Sequence, residues 1–269
     1  MDSLGGVRIG IIGAGAIGGA VIDRLLTVGV AKSNLIACEP KDARRDEIQQ
    51  RFGVAVTQDA TQAAAAAIVV LAVPPLEMKK VLRAIRDALK HRPLIVSFAA
   101  AMPLTLIQTL LPAGTPAVRV NPNSPSLVGS GFNPVVYGKD ATGSARALAE
   151  SFLAALGTSY EVPDSKMNLY TALTAVGPTY FLPVFDALIA AGVAGGLSRA
   201  DAVQAAAQTA LGTAAMVSHR SEPPEQLKLY TGLRPLKDAE VRDLVSKAIA
   251  EAASRMNGLE PQIASQPDN

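Results

Sequence analysis

The chain has 269 residues, enough for two domains or for one domain with an appended helical part, and either way enough to bury a substantial core. Its 25 Lys and Arg are interleaved with 23 Asp and Glu, for a formal net charge of +2, which removes any electrostatic reason to expect nucleic acid or an anionic membrane as a partner. With one cysteine and two histidines, neither an internal disulfide framework nor a zinc cluster can be assembled, and no metal site is expected.

The opening residues 1–6 carry no basic n-region or apolar h-region of a signal peptide, so a cytoplasmic location is expected, in keeping with the single thiol. Val7–Ile12 then reads as a strand and runs directly into Gly13-Ala14-Gly15-Ala16-Ile17-Gly18, which opens a helix, Ile17–Val28. A glycine turn between a strand and a helix is a dinucleotide signature. The first glycine permits the bend, the second lets a pyrophosphate approach bare backbone, and the third lets helix and strand pack closely. Free N–H groups at the helix start then face the phosphates, where the helix dipole favours negative charge.

Further strands are predicted at Leu35–Glu39, Val54–Thr57, Ile68–Val73, Leu94–Phe98 and Ala117–Val120. Helices lie between them at Arg44–Phe52, near Thr61–Ala66, at Leu76–Leu89 and at Leu104–Leu111. Two late edge strands, Asn133–Tyr137 and Ser159–Val162, flank a helix at Gly143–Leu156. This alternation predicts an α/β fold: a doubly wound parallel sheet of Rossmann type, covered on both faces, over residues 1–162. After Pro163 the β-branched alternation stops, and residues 163–258 read as an all-helical domain, with 259–269 as a loose polar tail. The apolar stretches Ala63–Leu76 and Phe181–Leu197 are short of a clean membrane span or broken by prolines and Asp186, and both read as soluble core. The helical part is rich in Ala and Gly, which bury little area each, so its helices are expected to pack on a second copy, as a homodimer or larger homo-oligomer.

Glu39, at the end of the second strand, would accept hydrogen bonds from ribose hydroxyls and repel an added phosphate, which favours NADH. Lys41, Arg44 and Arg45 lie close enough in sequence to neutralise a 2′-phosphate, so NADPH stays open. Three loops fall beyond the carboxyl ends of the strands where a nicotinamide would lie: Ala72-Val73-Pro74-Pro75, Ala99-Ala100-Ala101-Met102-Pro103 and Asn121-Pro122-Asn123-Ser124-Pro125. The Asn123 amide could reach ribose or substrate, or cap its own turn. His91 reads as a solvated helix end and His219 as a loop residue, and neither stands beside a nucleophile motif. Cys38 reads as a small buried apolar residue. Hydride transfer remains, because it asks the protein chiefly for position and a closed pocket.

The chain resembles the pyrroline-5-carboxylate reductases. Ile11-Ile12-Gly13-Ala14-Gly15-Ala16-Ile17-Gly18 is similar to that family's cofactor turn, and Leu71-Ala72-Val73-Pro74-Pro75 to its Leu-Ala-Val-Lys-Pro loop. Arg119 to Gly131 is similar to its Arg-Val-Met-Pro-Asn-Thr-Pro-Ala-Leu-Val-Gly segment, and Met167–Leu173 with Gly177-Pro178-Thr179-Tyr180 to the start of its dimerisation helix. The resemblance implies NAD(P)H-dependent reduction of the C=N bond of a cyclic imine, a small amino-acid-like substrate. It departs in two places. The family's Ser-Gly-Ser-Gly-Pro becomes Thr174-Ala175-Val176-Gly177-Pro178, and its carboxylate-binding Ser-Pro-Gly-Gly-Thr-Thr is missing where Gln226–Tyr230 runs into Thr231-Gly232-Leu233-Arg234. Thr174, Tyr180, Thr231 and Arg234 are therefore the candidate catalytic and substrate-holding side chains, with the substrate left open. Two other readings stand beside this one: a dehydrogenase of a small hydroxy acid or amine, whose Gly-x-x-x-Lys-x-x-Asn signature Lys166-Met167-Asn168 does not match, and a nucleotide-binding regulatory protein without turnover.

Overall fold

A computed structural model describes residues 4–266. Eight strands form one sheet: β1 (Ile9–Ile12), β2 (Leu35–Cys38), β3 (Ala55–Thr57), β4 (Ile68–Leu71), β5 (Leu94–Ser97), β6 (Ala117–Val120), β7 (Gly131–Tyr137) and β8 (Gly157–Glu161). Their spatial order is β3-β2-β1-β4-β5-β6-β7-β8. Every pairing is parallel except β6 with β7. The central strands are buried along their whole length, which is why they read as continuous apolar runs and not as alternation.

The covering helices are α1 (Ala16–Thr27), α2 (Asp42–Phe52), α3 (Ala60–Ala64), α4 (Met78–Ile85), α5 (Leu104–Leu110) and α6 (Gly143–Leu156). They divide the core into two clusters, one with Ile11, Ile22, Val70, Val96 and Phe152 and the other with Leu71, Met78, Leu82, Ile95 and Ile107. The single helix predicted over Leu76–Leu89 is α4 with a 3₁₀ turn at each end, Pro75–Glu77 and Arg86–Leu89. Pro75 opens the first of these turns, where its missing N–H costs nothing. Gly10 in β1 is required by packing, since a Cβ there would collide with the Ala63 carbonyl of α3.

The remaining helices are α7 (Met167–Tyr170), α8 (Pro178–Ala194), α9 (Arg199–His219), α10 (Pro224–Leu227) and α11 (Asp238–Ala264), with a π-turn over Thr171–Ala175. By contacts the chain divides into a sheet unit, Met1–Val176 with Glu251–Asn269, and a helical unit, Gly177–Ala250. The compact boundary thus falls thirteen or so residues later than the change in sequence pattern at Pro163, because Asp164 and Asn168 bond back to the sheet.

Three expectations fail against this architecture. Residues 259–266 are not a loose tail: α11 continues to Ala264, and Leu259 and Ile263, spaced i,i+4, pack on the second core cluster with Ile263 fully buried. Residues 267–269 of that expectation lie outside the described residues. His219 is the last residue of α9 and not a loop residue, its ring bonded to the Ala215 carbonyl one turn back. The Phe181–Leu197 stretch is not core within one chain. Phe181 is 65% exposed and Leu182 59%. The helical run Asp164–Ala194 is long and apolar enough to cross a membrane by length and composition, and only 6% of its apolar window is buried. The Ala63–Leu76 stretch is core as expected at Ala63, Ala64, Ala66 and 68–71, while Ala65, Ala67 and Leu76 are exposed.

Candidate dinucleotide and substrate site

The site builds up from the carboxyl edge of the sheet, where β1, β4, β5 and β6 release their loops side by side. Ladder bonds continue past the strand ends and fix these loops: Gly13 N–H donates to Cys38 O at 2.9 Å, Ala72 N–H to Ile12 O at 2.8 Å and Phe98 N–H to Leu71 O at 3.0 Å. Gly13 adopts φ +91°, and a Cβ there would lie 2.7 Å from Val73 Cγ1, so the glycine turn and the Ala72–Pro74 loop can touch only because Gly13 has no side chain. Gly18 is equally constrained, since a Cβ would strike the Gly13 carbonyl and crowd Ile11.

Gly15 differs from both. A Cβ on it would meet nothing within 4 Å, and Gly15, Ala16 and Ile17 are all exposed, with Ile17 51% accessible. No side chain caps the start of α1, so its first N–H groups face open space. An uncapped helix start behind a bare glycine fits a pyrophosphate.

At the next strand, Glu39 is buried to 8% exposure and its Oε1 accepts from Lys41 N–H at 3.2 Å. The neighbouring cations take two different positions. Arg45 spends its guanidinium on the carbonyls of Glu39 (2.8 Å) and Pro40 (2.9 Å) and on Asp42. Arg44 reaches back across the glycine turn, its Nε 3.3 Å from Ala14 O, with its far end on Glu47 at 2.5 Å. Burial pushes the Cys38 thiol up to about 11, with the Asp59 and Glu39 charges adding to the effect, and the cysteine is inert packing as its strand position suggested.

In the loop after β5, Ala99 is buried, Ala100 is half-buried and Ala101 is fully buried at φ +58°. A non-glycine residue in the left-handed region costs about 1–2 kcal/mol, and it persists here because neighbours on all sides fix it. Composition gave no sign of it.

The loop after β6 holds a polar cluster that sequence reasoning passed over. Arg119, in the middle of an apolar strand, is 1% exposed; it donates to Asp164 at 2.6 Å and to Asn168 Oδ1 at 3.4 Å. Asp164 in turn accepts from Leu104 N–H at 2.8 Å, capping α5. Asn121 donates to Thr171 Oγ1, whose own hydroxyl donates to Met167 O at 2.8 Å. Asn123 donates to Thr174 O at 3.1 Å while its Oδ1 accepts from Phe132 N–H at 3.1 Å. Both asparagines therefore pin the π-turn Thr171–Ala175, and the Asn123 amide is engaged at both ends. The Thr174 hydroxyl donates to Tyr170 O at 2.8 Å, which leaves its lone pairs as the available function. A charged residue inside Ala117–Val120 was the one readable signal for this cluster.

In the helical unit, burial raises the Tyr180 phenol above its ordinary value, so it keeps its proton through neutral pH. Thr231 and Arg234 lie in an irregular, exposed stretch between the 3₁₀ turn Lys228–Tyr230 and α11. Thr231 N–H donates to Lys228 O at 3.1 Å.

Residues 8–101 match a family model described as NADP oxidoreductase coenzyme F420-dependent, and residues 164–259 match one described as pyrroline-5-carboxylate reductase dimerisation. A pyrroline-5-carboxylate reductase of Methanosarcina acetivorans is 31% identical over 94% of this chain and 97% of its own. One of Mycobacterium leprae is 36% identical over 80% of this chain and 75% of its own. The crystal structure of Plasmodium falciparum pyrroline carboxylate reductase with NADP bound superposes with a TM-score of 0.82 at 23% identity, over 95% of this chain and 99% of that one, and shows the same fold. Glycine turn, open helix start and sheet topology define a nucleotide-dependent oxidoreductase of the Rossmann class with an appended helical unit. The chain belongs to the pyrroline-5-carboxylate reductase family.

Proposed function

We propose that this protein reduces the C=N bond of a five-membered cyclic imine of the pyrroline-5-carboxylate type with NAD(P)H, as a homodimer in the reducing cytoplasm. The observation that carries the reading is the end-to-end likeness to a reductase of that name, 31% identical across 94% of this chain. A bound reduced nicotinamide supplies the hydride that forms the new C–H bond, while the C=N electron pair moves onto the protonated nitrogen, giving a secondary amine and NAD(P)⁺.

The chain's own residues bind and orient. Backbone N–H groups of Gly15, Ala16, Ile17 and Gly18 would take the pyrophosphate, with Gly13 supplying the bend while its own N–H stays on Cys38 O, and Ala72, Val73, Pro74, Ala99 and Ala100 would receive the nicotinamide end. Asn123 acts through the π-turn it pins, holding Thr174. With its proton committed to Tyr170 O, the Thr174 oxygen accepts from an iminium N–H, so the substrate binds protonated. Tyr180 remains a donor at neutral pH. Without the family's Ser-Pro-Gly-Gly-Thr-Thr run, Thr231 and Arg234 are the remaining candidates for the substrate carboxylate, and each charge-assisted bond that is absent weakens the hold by about 1.5–3 kcal/mol. A KM for pyrroline-5-carboxylate well above that of a relative with the full run follows from this, and a neutral cyclic imine should suffer no such penalty.

NADH is the favoured reductant in this reading. The Glu39 carboxylate, held by the Lys41 amide at the end of β2, suits ribose hydroxyls and opposes a 2′-phosphate, against the pull of Arg44. The test is steady-state oxidation of NADH and NADPH with pyrroline-5-carboxylate and its carboxylate-free counterpart, beside reduction of NAD⁺ and NADP⁺ with a hydroxy-acid panel. Turnover of the imines alone supports the proposal. Turnover of the hydroxy acids, or of nothing despite cofactor binding, refutes it. Glu39→Ser should shift the preference toward NADPH by about tenfold, one hydrogen-bonded contact to a charged group.

A further inference from the structure

The segment after Gly258 lies against the loop that follows β4. Ile263 is fully buried against the second core cluster. The side chain of Lys79, at the start of α4 and 5% exposed, donates to Ala264 O and to Gln266 O, both at 2.9 Å. Gln266 Nε2 donates in return to Leu76 O at 3.1 Å. Two helix ends therefore share one knot. The Lys79 ammonium meets the final carbonyls of α11, where the helix dipole favours a cation, and Gln266 fastens the Pro75–Glu77 turn that leads into α4.

That turn begins one residue after Pro74, and Ala72 and Val73 rest directly on Gly13. Glu77 N–H donates to Pro74 O at 2.9 Å, so the turn and the loop are a single hydrogen-bonded unit. A second fastening lies further up the same helix, where Asn168 donates to Glu260 at 2.8 Å and to Asn257 at 3.2 Å. All of these contacts lie within the sheet unit, and the Lys79 bond joins residues 187 positions apart in the chain.

We propose that the last turn of α11, through Lys79 and Gln266, holds the Ala72–Glu77 loop in the conformation that receives the nicotinamide end of the cofactor. Lys79 and Gln266 are then positioning residues for hydride transfer, remote from the reacting atoms. The inference rests on the dinucleotide reading of the glycine turn. It makes a specific claim that the reading does not: the pyrophosphate and adenosine parts bind without the clasp, and the nicotinamide part does not bind fully without it.

The test compares two ligands on the full chain. NADH is titrated by fluorescence and ADP-ribose by calorimetry, using wild type, Lys79→Met, Lys79→Arg and Gln266→Ala. The clasp predicts that Lys79→Met weakens NADH by about tenfold, the loss of a charged hydrogen-bond pair, while ADP-ribose stays within about twofold. Gln266→Ala, which removes only the bond to Leu76, should weaken NADH in the same direction with a smaller effect. Lys79→Arg should recover wild-type NADH binding, and backbone amides over residues 76–79 should exchange faster in Lys79→Met and, to a smaller extent, in Gln266→Ala. Unchanged NADH affinity in Lys79→Met and Gln266→Ala overturns the clasp. Equal weakening of both ligands overturns it too, by showing a general loss of structure. A wild type that binds neither ligand instead removes the dinucleotide reading on which the clasp depends.

Discussion

The sheet unit and the helical unit place their apolar residues in opposite ways. In the sheet unit Ile9, Ile11, Val70, Leu71, Val96 and Phe152 are all essentially inaccessible. Between Gly177 and Ala250 the buried hydrophobic residues are Ala202, Ala206 and Leu227, whereas Leu211 is 66% and Leu233 81% exposed. α8 and α9 approach closely through small side chains, with a Cβ on Gly192 only 3.0 Å from the Ala202 methyl. That contact removes little area from water, and at about 25 cal/mol per Å² the unit gains little stability from it. The comparison teaches that the larger unit is a complete fold and the smaller one is one side of an interface. The dimerisation family model covers the same helices, and a homo-oligomer supplies the missing cover.

The comparison breaks most visibly if the exposed face is charged. Phe181→Asp combined with Leu182→Asp should convert the homo-oligomer to monomer and abolish activity, as sedimentation and rate assays would report. The sheet unit's glycine turn should respond in a different manner. Gly15→Glu has room for its side chain but sets a carboxylate against the pyrophosphate, so cofactor affinity should fall by at least about a hundredfold with the thermal midpoint unchanged. Arg119→Met removes the buried partner of Asp164 and should cost about 3 kcal/mol of stability, seen as a lower thermal and urea midpoint. The smallest effect concerns Cys38. Its thiol, ordinarily near 9.0, is pushed up to about 11 by burial, so the folded state holds a proton that the unfolded state loses between those values. That contribution is complete below pH 9 and disappears as pH rises toward 11, so the urea midpoint should fall across this window in wild type and less in Cys38→Ala. At pH 8 the native thiol should resist maleimide and react once unfolded.

Most of the sheet unit was legible because each of its features is local. Strands buried on both faces are apolar runs, and β6 and α6 occupy the spans expected of them. The three glycines of the turn carry distinct geometries that follow from their spacing. What escaped was decided by partners distant in sequence. Residues 259–266 looked polar and broken by Pro261, yet Lys79 and a buried Ile263 hold them. The Arg119 cluster joins a strand to residues 45 and 49 positions away, and the left-handed Ala101 leaves no trace in composition. Apolar residues in α8 looked like core because a sequence does not say whether the cover comes from the same chain.

The most direct measurement is transfer of deuterium from NADH carrying deuterium at both C4 positions of the nicotinamide to pyrroline-5-carboxylate, read by mass spectrometry of the product. The account predicts one deuterium on the former imine carbon for each cofactor oxidised. Oxidation without label at that carbon, or no transfer by a homo-oligomer that binds the cofactor, would contradict it.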